Sequence, residues 1–142
     1  MTTHQFRLLI DGALVETAAR IDVENPATGK PFAKAPRADL DMLEQAVAAA
    51  RRAFPAWAAL PVESRADALE SLASGLEARA SEFAALLTSE QGKPLAEAKG
   101  EIAYAASFIE WFAEEARRIY GDTIPATSGD KRIVAIKQPI GT

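Results

Sequence analysis

Residues 89–101 read SEQGKPLAEAKGE, and how they are read decides the fold. A glycine, a lysine and a proline stand together between two stretches of helical character. A phosphate-gripping loop needs G-x-x-x-x-G-K-[ST] after a strand, so that backbone N–H groups cradle the phosphates and a hydroxyl reaches magnesium. Here Leu87 occupies the place of the first glycine. Pro94 follows Lys93 and supplies neither a hydroxyl nor an N–H. Upstream, Phe83, Leu86 and Leu87 predict a short helix over residues 82–89 with those three side chains buried. Gly92 then stands where a left-handed cap closes a helix, and Pro94 where the first turn of the next one begins. The stretch is therefore punctuation between two helices, with Lys93 a surface charge between them.

Downstream, Leu95, Ala98, Ile102, Ala105, Ile109, Phe112, Ala116 and Ile119 recur at steps of three and four. They predict one long helix reaching about residue 120, ended by Gly121. Tyr104, Phe108 and Trp111 form a second stripe about 100° round the same helix. Two readings of it stand: a wide buried face, or an aromatic wall for an apolar or amphiphilic ligand. Glu97, Glu101, Glu110, Glu114 and Glu115 read as solvated acids. Glu97 and Glu101 lie one turn apart, but a di-iron bundle also needs Glu-x-x-His, and the helix has no histidine. TIPATSGD (123–130) reads as a loop, and KRIVAIKQPI (131–140) as a strand. Its ladder partner is either the N-terminal strands or a segment outside the chain.

Upstream, Asp39 is a good N-cap for a helix from Leu40, with Leu40, Leu43, Val47, Ala50 and Phe54 on one face. Pro55 is expected to stop it. Pro61 opens a second helix with Val62, Ala66, Leu69, Leu72 and Leu76 as its apolar stripe. The first third reads as strands. Residues 6–10 and 13–15 flank Asp11-Gly12, which accepts the positive φ of a tight hairpin turn. Ile21-Asp22-Val23 and residues 31–35 flank ENPATGK, where Pro26 and Gly29 turn the chain and Asn25 bonds its own backbone. The fold class is α/β: N-terminal β-hairpins, about four helices, and a C-terminal strand.

Composition bounds the chemistry. The chain has 142 residues, one domain's length, with 49% apolar and 25% charged residues. Its net charge of −4 gives no reason to expect a nucleic acid or an anionic membrane as partner. It has no cysteine, which excludes disulfides, thiolate metal sites and a cysteine nucleophile within these residues. Its single histidine, His4, permits no multi-histidine metal site. No glycine stands two residues from another, so a G-x-G-x-x-G cradle is absent. No apolar run reaches the length of a signal peptide core or a membrane span, and a cytoplasmic location is the default.

LLTSEQGKPLAEAKGEIAYAASFIEWFAEEARRIYGDTIP resembles the N-terminal helical region of NAD(P)-dependent aldehyde dehydrogenases, and among them is most similar to succinate-semialdehyde dehydrogenases. LLIDGALVE, VENPATGK, AVAAARRAFPAW and RIVAIKQPIG fit the same family in the same order. The resemblance covers residues 8–141. It implies that residues 1–131 are the N-terminal strands and the helical part of the cofactor-binding domain. Residues 132–142 would open the oligomerisation strand. The chain would then be the truncated N-terminal portion of a homo-oligomer.

The family's reaction is oxidation of an aldehyde by NAD or NADP. A cysteine forms a thiohemiacetal, hydride passes to the nicotinamide, and a glutamate helps to hydrolyse the thioester. Those residues, and the cofactor site, lie downstream of Thr142 in relatives, so the resemblance assigns no catalytic or cofactor-binding residue here. It implies that this chain alone is inactive. It also implies two sites. A monovalent cation would lie between the Glu90 carboxylate and the carbonyls of Val23 and Glu24, a hard-oxygen set. Tyr104, Phe108 and Trp111 would line the tunnel that admits the small aldehyde, succinate semialdehyde by resemblance. The competing reading is a non-enzymatic helical interaction or adaptor domain whose stripes bury in a partner.

Overall fold

A computed structural model describes residues 6–142, so His4 lies outside the described residues. In chain order the elements are β1 (Leu8–Ile10), β2 (Ala13–Val15), β3 (Arg20–Asn25), β4 (Lys30–Pro36), α1 (Leu40–Ala59), α2 (Val62–Ala78), α3 (Ala80–Gln91), α4 (Leu95–Ala116), β5 (Asp122–Ile124) and β6 (Ile133–Ala135). The strands pair as three separate antiparallel hairpins, β1–β2, β3–β4 and β5–β6.

The first two hairpins follow the turn chemistry. Asp11 (φ 52°) and Gly12 (φ 76°) both take the left-handed conformation that a two-residue turn demands. In the β3–β4 turn, Asn25 Oδ1 accepts from the Ala27 N–H at 2.9 Å, and the Asn25 carbonyl accepts from the Gly29 N–H at 2.8 Å. The ladder is irregular between Val23 and Glu24, where Glu24 faces Pro31. Proline has no N–H, so the ladder offers no donor at that step.

The helices depart from the sequence reading at several points. Asp39 caps α1 as expected, accepting from the Met42 N–H at 2.8 Å. Pro55, however, does not end α1, which runs on to Ala59. The cost of one lost helical bond is borne, and the residues after it favour helix. The stop comes at Leu60, whose ψ of 146° is the extended conformation forced on a residue before proline, here Pro61. Residues 80–91 form α3, longer at both ends than the expected 82–89. α4 ends at Ala116, not near Tyr120, as Arg117 and Arg118 turn back to the carbonyls of Glu114 and Glu115.

The core is made of alanine. Ala66 and Ala73 on α2, Ala84 on α3, and Ala98, Ala106 and Ala113 on α4 are fully buried, and among the described residues no large side chain is. Alanines seven residues apart on α2 and on α4 leave little side chain between the two backbones, which favours close packing of the helices. The two helices are antiparallel, because Arg117 at the end of α4 reaches Glu63, Asp67 and Glu70 in the first half of α2. This seam is rotated from the expected stripe. Ile102 and Ile109 are half-buried, while Ala105 and Phe112 are exposed.

Much of the apolar surface is uncovered. On α1 only Ala49 is buried, and Leu40, Leu43, Val47 and Trp57 are exposed. α1 touches β1, and Arg52 bonds Asp11 at 2.9 Å across that contact. The last strand does not pair with the N-terminal strands. β6 pairs with β5, a strand that overlaps the start of the stretch read as a loop, and Gly121 is needed there because a Cβ would collide with the Ala135 carbonyl. A compact monomer of 15.2 kDa exposes roughly 7100 Å². This chain exposes 10813 Å².

Candidate functional site

The three aromatics of α4 lie on the face turned away from α2 and α3. Tyr104, Phe108 and Trp111 are 65%, 47% and 62% exposed, so they are not the wide buried face that their spacing also allowed. Their spacing of four and three residues still makes them one surface. The Tyr104 and Phe108 rings meet edge to face, centroids 4.7 Å apart at 90°. Trp111 sits in a shallow depression of about 390 Å³ with Ser107, Glu110, Glu114 and Arg118. Arg118 was not singled out from the sequence, although its place seven residues after Trp111 puts it on the same face. It is committed to Glu115, which raises its pKa, first through the hydrogen bond and then through the charge.

The second candidate group gathers at the end of α3. Gly92 caps the helix at φ 72°, its N–H bonded to the Thr88 carbonyl at 2.9 Å. A Cβ on Gly92 would lie 2.9 Å from Pro26 Cγ, so the end of α3 abuts the β3–β4 turn. Glu90 stands two residues before Gly92, and Glu24 two residues before Pro26. α3 and β3 also touch directly. Glu90 and Glu24 are exposed, and Val23 is half-buried. The donors available are one carboxylate and backbone carbonyls next to an irregular ladder with no N–H at Pro31. That set suits a hard monovalent cation. Among the described residues, no three His, Cys, Asp or Glu side chains cluster as a multivalent metal site would need.

Lys93 has more to do than a surface charge. It is half-buried and paired with Glu101 of α4, which ties the α3–α4 link to the next helix. That pairing takes Glu101 away from any shared role with Glu97. At the other end of α4, Arg117 contacts Glu70 at 2.6 Å, Glu114 at 2.8 Å, Glu63 at 3.0 Å and Asp67 at 3.6 Å. Its pKa is raised above the usual arginine value, chiefly by the hydrogen bonds to Glu70 and Glu63. No helix among the described residues is long and apolar enough to cross a membrane.

A succinate-semialdehyde dehydrogenase [NADP(+)] of Escherichia coli (strain K12) is 55% identical over 121 residues, covering 85% of this chain and 25% of that protein. A glutarate-semialdehyde dehydrogenase of Pseudomonas aeruginosa is 52% identical over 134 residues, 93% of this chain and 28% of that protein. The crystal structure of a succinate-semialdehyde dehydrogenase from Burkholderia pseudomallei superposes with a TM-score of 0.92 at 43% identity, over 96% of this chain and 29% of that one. The chain thus spans about a quarter of the length of the relatives it matches. A family model described as the aldehyde dehydrogenase family matches residues 14–142, which favours an enzyme lineage over an adaptor. The chain belongs to the aldehyde dehydrogenase family.

Proposed function

We propose that this chain is the N-terminal region of an NAD(P)-dependent aldehyde dehydrogenase that oxidises succinate semialdehyde to succinate, and that these residues alone do not turn over. The observation that carries the reading is identity above half to dehydrogenases of dicarboxylic semialdehydes along most of this chain. The relatives' names pair one semialdehyde with a four-carbon chain and another with a five-carbon chain, so both belong in the assay. The nicotinamide accepts the hydride when bound, and no residue of this chain is assigned to it. With no cysteine, the chain also lacks the family's nucleophile.

In this reading its residues shape access and hold the framework. Tyr104, Phe108 and Trp111 form one wall of the aldehyde tunnel, where an apolar lining desolvates the methylene chain. Glu90 with the carbonyls of Val23 and Glu24 binds a monovalent cation away from the chemistry. Residues 1–131 belong to the cofactor-binding domain, and residues 132–142 open the strand that joins subunits of a homo-oligomer.

The test is a chimera in which this chain replaces the matching quarter of the Escherichia coli enzyme. It should reduce NADP+ with succinate semialdehyde and do so less well with glutarate semialdehyde. Trp111→Ala in the chimera should lower kcat/KM by about tenfold or more, the worth of one buried aromatic contact. A chimera that folds but oxidises neither semialdehyde contradicts the proposal. So does turnover by the isolated chain.

A further inference from the structure

Glycine is required at position 92 on two separate grounds. Its φ of 72° is one that side chains rarely adopt, and an added Cβ would stand 2.9 Å from Pro26 Cγ, where ordinary contacts begin at 3.4 Å. The neighbour cannot yield cheaply. Pro26 is a rigid ring in a turn closed by the Asn25 side chain on the Ala27 N–H and by the Asn25 carbonyl on the Thr28 and Gly29 N–H groups. On its other side, the link after Gly92 is held by Lys93 on Glu101. The end of α3 is therefore seated close against the β3–β4 turn, with no room for a side chain at position 92.

What this contact sets is the spacing of two short segments. One carries Glu90; the other carries the carbonyls of Val23 and Glu24, at the ladder irregularity facing Pro31. We propose that Gly92 and Pro26 are the positioning pair of the alkali-cation site, a contact that fixes how far the carboxylate stands from the carbonyls. The inference rests on the cation reading given above. Neither residue touches the ion; both act through the backbone that carries its ligands.

The experiment uses the 142-residue chain and the sodium NMR linewidth, titrated with sodium chloride against choline chloride at constant ionic strength. The wild-type chain should show saturable broadening, and Glu90→Gln should lose it. Gly92→Ala should bind sodium about tenfold more weakly, as changes to groups behind a metal's ligands commonly do. Gly29→Ala is the matched control. Gly29 has φ 63° with open space around it, so the variant carries the same backbone strain without the contact, and it should bind like wild type. Pro26→Ala removes Cγ and should weaken binding modestly. The double variant Pro26→Ala/Gly92→Ala should bind like Pro26→Ala, because the collision is gone.

If Gly92→Ala binds like Gly29→Ala, the positioning role is wrong. If the two losses multiply in the double variant, the residues act independently and the pair is wrong. If Gly92→Ala does not fold by circular dichroism, Pro26→Ala decides, and binding equal to wild type overturns the proposal. Absent broadening in the wild type, or broadening kept by Glu90→Gln, removes the cation site itself, and the positioning role falls with it.

Discussion

At the scale of single residues, the most connected side chain is Arg117. It gathers three carboxylates from α2 and one from its own helix, all of them exposed. Exposed pairs are individually weak and screened by salt, but here one guanidinium joins two helices. Arg117→Met keeps the apolar stem and removes the charge. It should leave Glu63, Asp67 and Glu70 repelling one another along one face of α2. The variant should melt below wild type in low salt, and the gap should narrow in molar salt, where the screening length falls to about 3 Å. A gap that is constant with salt would mean that packing of the stem, not charge, ties α4 to α2. Reading Glu114 as a solvated acid does not reveal this cluster, because the α2 carboxylates that share Arg117 lie some fifty residues away. Asp39, Asp11-Gly12, Asn25 and Gly92 were all legible, because each bonds or bends its own neighbourhood.

At the scale of elements, the α2–α4 seam is an alanine seam. Small residues at Ala66, Ala73, Ala106 and Ala113 let the helices approach, so enlargement should be punished. Ala106→Leu should cost about 1–3 kcal/mol, through overpacking with little room to relax. The glycines of the same helices tell the opposite story. Gly75 and Gly100 face open space, and neither has a positive φ. Gly75→Ala and Gly100→Ala should each stabilise by about 0.5–1 kcal/mol in urea denaturation, by lowering backbone entropy in the unfolded chain. A destabilising Gly100→Ala would show that something approaches α4 there in solution. The stripe read from the sequence followed steps of three and four from Leu95, so it ran through Ala105 and Phe112. The seam instead follows the alanines, because the closest approach of two helices is set by the smallest side chains between them.

At the scale of the molecule, the exposed apolar surface is the main fact. α1 offers Leu40, Leu43, Val47 and Trp57, α4 offers its aromatics, and the β5–β6 hairpin exposes Ile124, Ile133 and Val134. Large exposed apolar surfaces mark faces that bind protein or drive aggregation. The isolated chain should therefore brighten 1-anilinonaphthalene-8-sulfonate and self-associate as its concentration rises. In the chimera with the Escherichia coli enzyme the dye signal per chain should fall. A monomeric chain that melts cooperatively without binding the dye would show that these faces are covered some other way.

The sequence by itself determined the first two hairpin turns, where α1, α2 and α4 begin, and, through five motifs in order, which family the chain joins. Those are local matters of capping, glycine φ and proline geometry, together with a resemblance written into contiguous residues. Tertiary structure decided the rest. It let α1 run through Pro55, gave β6 a partner in the supposed loop, and turned the α4 seam onto its alanines. It left the aromatic stripe facing outward and set Gly92 against Pro26. Each of these depends on which surfaces meet across long separations in the chain, and periodicity along one element is silent about what lies opposite it.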